Sequence, residues 1–167
     1  MSKIKNIPNS GDEIADVCRA QSEHRGMWVG LIFDELKKTG ADAEGIYRRA
    51  IRRRGVIQGK NLREKCADPK NYNEFKKAFE SGGLTNRIFN AKNASSDEDN
   101  FKIEFQFCAM VSAWQKLGFD DETCALLCDM ALEMDIGVAD GMGDDMKFNM
   151  AETIGKGNSC CRLHYYK

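Results

Sequence analysis

Seven cysteines are the most reactive side chains of this sequence, and one of them stands where a nucleophile is expected. Cys108 lies in FQFCAMVSAW, between a run that alternates apolar and polar residues and a run with helical spacing. A thiol at the start of a helix meets the positive end of the helix dipole and free backbone N–H groups, which lower its pKa. The pattern therefore predicts Cys108 as a nucleophile, with a buried structural cysteine as the alternative.

Two pairs of cysteines follow Cys108. Cys124 and Cys128 are one helical turn apart, so their thiols face the same way and are either half of a metal site or core residues. Cys160 and Cys161 are neighbours on a predicted strand, and Cys161 is expected to face inward. A zinc site needs further ligands at regular spacing, and the chain has two histidines. We predict no metal and no cofactor.

The remaining candidates are a histidine, a group of arginines and an acidic segment. His24, in EHRGMW, is the better candidate for a general base because imidazole titrates near neutral pH, with a surface histidine as the alternative. The arginines of YRRAIRRRG, which include Arg48, suit bidentate binding of a carboxylate, with a solvated basic face as the alternative. The segment DIGVADGMGDD lacks the spacing of a calcium-binding loop, so we predict an irregular loop near the site.

Length and composition indicate one ordinary globular domain. The chain has 167 residues, of which 42% are hydrophobic and 31% are charged. A net charge of -1 gives no steering towards nucleic acid or an anionic membrane, and no apolar run has the length of a signal peptide or a membrane span. The odd number of cysteines indicates reduced thiols in the cytoplasm. We predict a small-molecule substrate and neither nucleic acid nor membrane as partner, while a homo-oligomer stays open.

Helical periodicity dominates the first half of the chain. Ser10 and Glu13 fit a capping box at the start of a long helix that runs to Gly40 and bends at its internal glycines. The other predicted helices cover residues 42–54, with Gly55 as the stop, residues 71–79, the segment after Cys108 and the segment capped by Asp120. Residues 1–10 are predicted to be a flexible N-terminus, and residues 11–167 are predicted to form one domain.

Alternation by two residues predicts the strands. The run from Leu84 to Phe89 and the run from Phe101 to Phe107 are expected to form a hairpin, joined by the polar turn NAKNASSDEDN. Residues 146–150 give a third strand, and residues 161–166 give a fourth. Helices and neighbouring strands without a βαβα rhythm predict an α+β domain, in which an antiparallel sheet of about four strands packs against helices on one face.

Three ordered motifs carry a resemblance to a known family: FKIEFQFCAMVSAWQKLG, LLCDMALEMD and IGKGNSCCRLHY. From about His24 to the C-terminus, the sequence resembles the L-2-amino-thiazoline-4-carboxylic acid hydrolases. Carried over residue by residue, the resemblance points to a site that contains Cys108, Cys128, Asp135, Gly157 and Cys161.

Two positions depart from the family pattern. Ala109 stands where proline is usual, and Asn158 stands where aspartate is usual. The second departure removes a charge. It therefore puts the substrate specificity or the activity of this chain in question.

The resemblance implies a hydrolase that opens a cyclic isothiourea or amidine, such as L-2-amino-thiazoline-4-carboxylate, to give an N-carbamoyl product. Under this hypothesis the Cys108 thiolate attacks the amidine carbon, His24 or a water moves the proton, and Asp135 holds the cationic amidine. The substrate-binding residues are then Cys128, Asn158, Cys161 and Arg48.

Three other functions stay open on the sequence alone. The C-terminal Gly, Cys and alternating strand also resemble vinyl-reductase-like domains, which bind small molecules without turnover. Convergence of Cys108, Cys128 and Cys161 in one pocket would suit a metal or redox protein. Nucleic-acid binding through the arginines at positions 48, 49, 52, 53 and 54 is the most distant of the three.

Overall fold

A computed structural model describes residues 2–81, 83–143 and 145–167 of the chain. The helices are α1 (Glu13–Lys38), α2 (Ala43–Arg63), α3 (Tyr72–Phe79), α4 (Leu84–Ile88), α5 (Ala109–Lys116), α6 (Asp121–Ala131) and α7 (Glu133–Met142). The strands are β1 (Ala91–Ser96), β2 (Asn100–Phe105), β3 (Lys147–Asn149) and β4 (Cys161–Tyr166), and a 3-10 turn covers Ile154–Lys156. Of the helices in the described ranges, none combines the length and apolar character that a bilayer crossing requires.

The four strands form one antiparallel sheet in the order β1-β2-β4-β3. The register pairs Phe101 with Tyr165 and Ile103 with Leu163, so these side chains share one face of the sheet. That face is buried, and the ring of Phe75 from α3 lies with its centroid 5.0 Å from that of Tyr165. The predicted α+β fold class, with an antiparallel sheet of about four strands packed against helices, is confirmed.

Helices α2 and α7 pack so closely that only glycine fits between them. A Cβ atom added at Gly137 would lie 2.4 Å from the carbonyl oxygen of Arg52, which is backbone and has no side-chain freedom to move aside. The same crowding occurs at all four glycines of the crossing, which are Gly55 and Gly59 on α2 and Gly137 and Gly141 on α7.

Two predicted boundaries are wrong because of this packing. Gly55 does not end the second helix, since α2 continues to Arg63. The predicted irregular loop is also helical over IGVADGM, which lies in α7. Each internal glycine costs a helix about 1 kcal/mol relative to alanine when propensity is considered alone. Close approach of the two backbones offsets that cost. Because α2 and α7 are far apart in the sequence, local helix propensity does not predict this contact.

A Gly137→Ala substitution is expected to lower the free energy of unfolding by about 2–4 kcal/mol, because the added methyl group meets the backbone of α2. Helix propensity alone predicts the opposite sign, a gain of about 1 kcal/mol. Urea unfolding followed by circular dichroism measures the difference. A stabilised variant would contradict the packing of α2 against α7.

The first strand of the hairpin lies later than predicted. The run from Leu84 to Phe89 is not a strand, because α4 occupies it, and β1 lies inside the segment predicted as a polar turn. β1 is an edge strand with an exposed surface, positive φ at Asn93 and a break in its register. Since an exposed edge strand needs no apolar alternation, its sequence resembles that of a loop.

The predicted long first helix is confirmed, with a different residue at its start. α1 runs without a break from Glu13 to Lys38, and its N-cap is Asp12 rather than Ser10. The Asp12 carboxylate accepts a hydrogen bond from the backbone N–H of Ala15 at 3.0 Å. A Cβ atom at Gly26 would lie 2.8 Å from the Cβ of Ala113, so this glycine allows α1 to approach α5.

Candidate functional site

Three cysteines predicted to belong to the site come together from elements that are distant in the sequence. Cys108 is the N-cap of α5, Cys128 lies in the last turn of α6, and Cys161 is the first residue of β4. Their sulfur atoms are close enough for the thiols to influence one another's ionisation. We call these three residues the cysteine cluster. Cys128 and Cys161 are buried, whereas Cys108 is partly exposed.

Burial dominates the ionisation of Cys108. It raises the pKa of the thiol to about 11, and the neighbouring Cys128 adds to the increase. The backbone N–H groups of Val111 and Met110, at the start of α5, lower the pKa in part, and this is the effect that the sequence position predicts. Burial is the larger effect, so the pKa of Cys108 is raised rather than lowered as its position predicts, and its role as a nucleophile stays a prediction.

Asp135 supplies a carboxylate beside the cysteine cluster. It lies in the first turn of α7, is partly exposed, and accepts a hydrogen bond from the Tyr165 hydroxyl at 2.8 Å. Burial raises the pKa of Asp135 to about 6, although the bond from Tyr165 lowers it in part. Besides burial, the charge of Asp135 raises the pKa of Cys108 and of Cys161. The structure therefore brings a group that is ionised at neutral pH to the cluster.

Two buried hydroxyl groups that the sequence did not single out also lie at the cluster. Tyr47 projects from α2, and burial followed by the charges of Cys128 and Cys108 raises the pKa of its phenol. Thr153 precedes the 3-10 turn. Burial raises the pKa of Cys128, and the Thr153 hydroxyl lowers it in part. Neither hydroxyl has a nitrogen or oxygen hydrogen-bond partner within the described ranges. An unpaired buried hydroxyl is costly in free energy, and this applies to the Tyr47 phenol, whereas the Thr153 hydroxyl lies against the Cys128 thiol.

The 3-10 turn holds the two buried thiols in place. A Cβ atom at Gly155 would lie 2.7 Å from the Cys128 sulfur, so only glycine allows the turn to pack against that thiol. The backbone N–H of Ile154 donates to the Cys161 sulfur at 3.4 Å. Burial raises the pKa of Cys161 as it does that of Cys128. Cys161 therefore faces inward, as its phase on the strand predicts.

Asn158, predicted to bind substrate, is exposed, and its side chain bonds to the protein itself. The Asn158 Oδ1 accepts a hydrogen bond from the backbone N–H of Thr153 at 3.1 Å. Gly157 precedes it with a φ of 88°, a left-handed conformation that favours glycine. These two residues close the loop that carries Thr153, and a direct contact between Asn158 and substrate stays a prediction.

The structure does not bring His24 into the cysteine cluster. His24 is exposed on α1, where its Nε2 accepts a hydrogen bond from the Trp28 indole N–H at 2.9 Å. Arg48 lies closer to the cluster, because it donates to Asp129 at 2.8 Å and Asp129 directly follows Cys128. The role of His24 as a base stays a prediction without geometric support, whereas Arg48 is adjacent to the site.

The amide of Asn6 clamps the backbone of Cys108. Its Nδ2 donates to the Cys108 carbonyl oxygen at 2.8 Å, and its Oδ1 accepts from the Cys108 N–H at 2.9 Å. The carbonyl of Ile4 also accepts from the side chain of Gln115 at 3.2 Å. Residues before α1 therefore lie across the start of α5. The flexibility predicted for residues 1–10 stays a prediction, and no local pattern signals the contact with Cys108.

An Asn6→Ala substitution is expected to lower the free energy of unfolding by about 1–3 kcal/mol, because two partly buried hydrogen bonds are lost. Thermal or urea unfolding measures the change. Asn9→Ala is the matched control, since the Asn9 side chain makes no hydrogen bond to the described part of the chain. Equal stabilities of the two variants would show that the clamp contributes nothing.

The described residues give no geometric support to a metal centre. Among them, no group of three or more His, Cys, Asp or Glu side chains is arranged to hold a metal ion. A cleft of about 530 Å³ lies at the other end of α7, where Lys60, Arg63, Tyr72 and Met142 are among the residues that line it. This cleft contains no member of the cysteine cluster. Strongly shifted pKa values are typical of functional sites, and the thiols with raised pKa values lie at the cluster rather than in this cleft.

Comparison with known proteins identifies one family. The family model described as L-2-amino-thiazoline-4-carboxylic acid hydrolase matches residues 19–165, which include the whole cysteine cluster and Asp135. No curated protein matches the chain.

Proposed function

Because the chain belongs to the L-2-amino-thiazoline-4-carboxylic acid hydrolase family, we propose that it opens a small cyclic isothiourea or amidine by hydrolysis, with Cys108 as the nucleophile. The observation that carries the proposal is the position of Cys108, a partly exposed residue at the start of α5 whose thiol pKa is raised first by burial and in part by the charge of Asp135. Nucleophilic catalysis by cysteine requires a sulfur that substrate can reach and a nearby group that accepts its proton.

Substrate itself completes the activation of Cys108. In the free protein the thiol is protonated, since burial raises its pKa to about 11. A protonated amidine bound against Asp135 places a positive charge beside the thiol, and an adjacent cation favours the thiolate. The Asp135 carboxylate then takes the thiol proton. This arrangement restricts the thiolate to the complex with substrate.

The reaction proceeds in two displacements. The Cys108 sulfur forms a bond to the amidine carbon, the ring C–S bond breaks, and the ring sulfur receives the proton held by Asp135. Water then adds to the same carbon and gives a proton to Asp135. The bond between that carbon and the Cys108 sulfur breaks, and Asp135 returns the proton to the thiol. One water is consumed, and the product is an N-carbamoyl compound that carries a new thiol.

The residues around the thiol supply substrate contacts. The Tyr47 hydroxyl bonds to an amidine nitrogen of the substrate in this proposal, because it has no hydrogen-bond partner within the described ranges. Arg48 is the carboxylate-binding residue of the proposal. Its guanidinium carries five N–H donors, and the bond to Asp129 leaves donors for a substrate carboxylate. Cys128 and Cys161 form the wall behind the reacting carbon.

Binding without turnover is the second candidate function. The raised pKa of Cys108 favours it, because a permanently protonated thiol is a poor nucleophile. Incubation with L-2-amino-thiazoline-4-carboxylate and a panel of cyclic amidines and ureas, followed by mass spectrometry, separates the two functions. Consumption of any member by the purified protein supports hydrolysis. Saturable binding with no consumption supports the second candidate.

A further inference from the structure

The outward face of α1 carries five large apolar side chains. Their exposed fractions are 55% for Ile14, 63% for Val17, 62% for Trp28, 49% for Leu31 and 55% for Ile32. The opposite face of the same helix is buried against the domain through Ala15, Gly26, Gly30 and Phe33. Single exposed apolar residues are common on protein surfaces, but several on one helix face mark a contact surface.

The spacing of this face is that of a coiled coil. Residues 14, 17, 21, 24, 28 and 31 follow one another at alternate steps of three and four, which is the repeat of the a and d positions. We call these six positions the α1 seam. Its two ends are apolar, and Gln21 and His24 occupy its middle. At 1.5 Å per residue the seam is about 25 Å long.

We propose that the α1 seam is the interface of a homodimer, in which α1 packs antiparallel against α1 of a second copy. A two-fold axis that passes between residues 22 and 23 places each a position opposite a d position of the other copy. Ile14 then faces Leu31, Val17 faces Trp28, and Gln21 faces His24. Apolar residues meet apolar residues and polar residues meet polar residues along the whole seam, so this surface is complementary to itself.

The exposed apolar area of this helix face provides more than half of the area of a standard interface. At roughly 100 Å² for each side chain, the five apolar residues offer about 500 Å² per copy, against about 800 Å² per partner in a standard interface. The polar seam residues and the stems of Arg25 and Glu35, which lie beside the seam, supply the remainder. Trp28 stands within the seam, and tryptophan is a frequent anchor of protein interfaces.

Size-exclusion chromatography with light scattering tests the proposal directly. The wild-type protein at micromolar concentration is expected to have twice the chain mass. Val17→Glu and Trp28→Glu are each expected to raise the dissociation constant at least about 100-fold, because a carboxylate would be buried opposite an apolar side chain. Ile57→Glu is the matched control, since Ile57 is 56% exposed on α2 outside the seam and its substitution is expected to leave the dimer intact.

Crosslinking tests the register independently of affinity. A double variant with Val17→Cys and Trp28→Cys is expected to form an intermolecular disulfide on mild oxidation in much higher yield than the wild type or an Ile57→Cys variant. A wild-type protein that stays monomeric, a dimer that survives both glutamate substitutions, or a double variant that does not crosslink would each overturn the proposal. None of these results depends on the proposed hydrolysis.

Discussion

Replacing Cys108 with alanine is expected to lower kcat/KM for ring opening of the consumed substrate at least about 1000-fold, because the variant has no sulfur to form the covalent intermediate. The fold is expected to survive the substitution. The change removes a single sulfur atom, and the backbone of Cys108 stays held by the two hydrogen bonds to Asn6. The free energy of unfolding should change by less than about 1 kcal/mol.

Cys66→Ala is the matched control for this experiment. Cys66 is also a free and partly exposed cysteine, and its sulfur donates to the Leu62 carbonyl oxygen on α2, outside the cysteine cluster. Substrate consumption by mass spectrometry, together with circular dichroism, compares the two variants. The expected result is full activity for Cys66→Ala and none for Cys108→Ala. A Cys108→Ala protein with full activity would remove cysteine from the mechanism.

Local periodicity was sufficient to predict much of the sheet. The alternation in residues 161–166 is produced by one buried and one solvent-facing side of β4, so the inward direction of Cys161 follows from its phase alone. The same reasoning predicts β2. Where the structure depends on contacts between distant segments, the sequence was misleading, as the extension of α2 beyond Gly55 demonstrates. Helix propensity describes one residue, whereas the packing of α2 requires a second helix.

The candidate site was only partly predictable for the same reason. Cys108 was predicted from its position at a helix start, the resemblance of three motifs added Cys128, Cys161 and Asp135, and their charges act on one another's pKa values in the structure. Tyr47 lies at an apolar position of a helix, so nothing local indicated that its hydroxyl meets the thiols. The pKa of Cys108 also depends on how deeply the thiol is buried by other segments. The position of a residue at the start of a helix does not predict that burial.

The apolar pattern of α1 predicted a helix correctly but says nothing about which side faces the core. Ile14, Val17 and Trp28 recur at helical spacing, and they lie on the outward side. Small residues instead form the inward side, where Gly26 contacts Ala113. A helix with apolar residues on two faces has two contact surfaces, so periodicity alone cannot assign the core.

Asp135→Asn is expected to lower kcat/KM at least about 100-fold at neutral pH, because an amide neither attracts the cationic amidine nor accepts the thiol proton. The wild-type rate is expected to fall as the pH is lowered through about 6, the pKa to which burial raises Asp135. The residual activity of the variant should lack this acidic limb. A pH profile of kcat/KM for both proteins, each corrected for ionisation of the substrate, measures the difference. An identical acidic limb in the variant would assign the titration to another group.

The same substitution is expected to increase the stability of the protein. A carboxyl group whose folded pKa is raised from 3.8 to about 6 favours the fold fully below its unfolded pKa, and this contribution is lost as the pH rises through about 6. At neutral pH the wild type therefore bears the cost of a carboxylate that is partly removed from water, which asparagine avoids while keeping an oxygen that accepts from Tyr165. Urea unfolding should show the variant to be more stable by about 1–3 kcal/mol at pH 7 and by much less at pH 4. A charge that lowers stability is expected to be retained where it serves activity. An Asp135→Asn variant that is less active but no more stable at pH 7 would indicate that Asp135 is a structural residue.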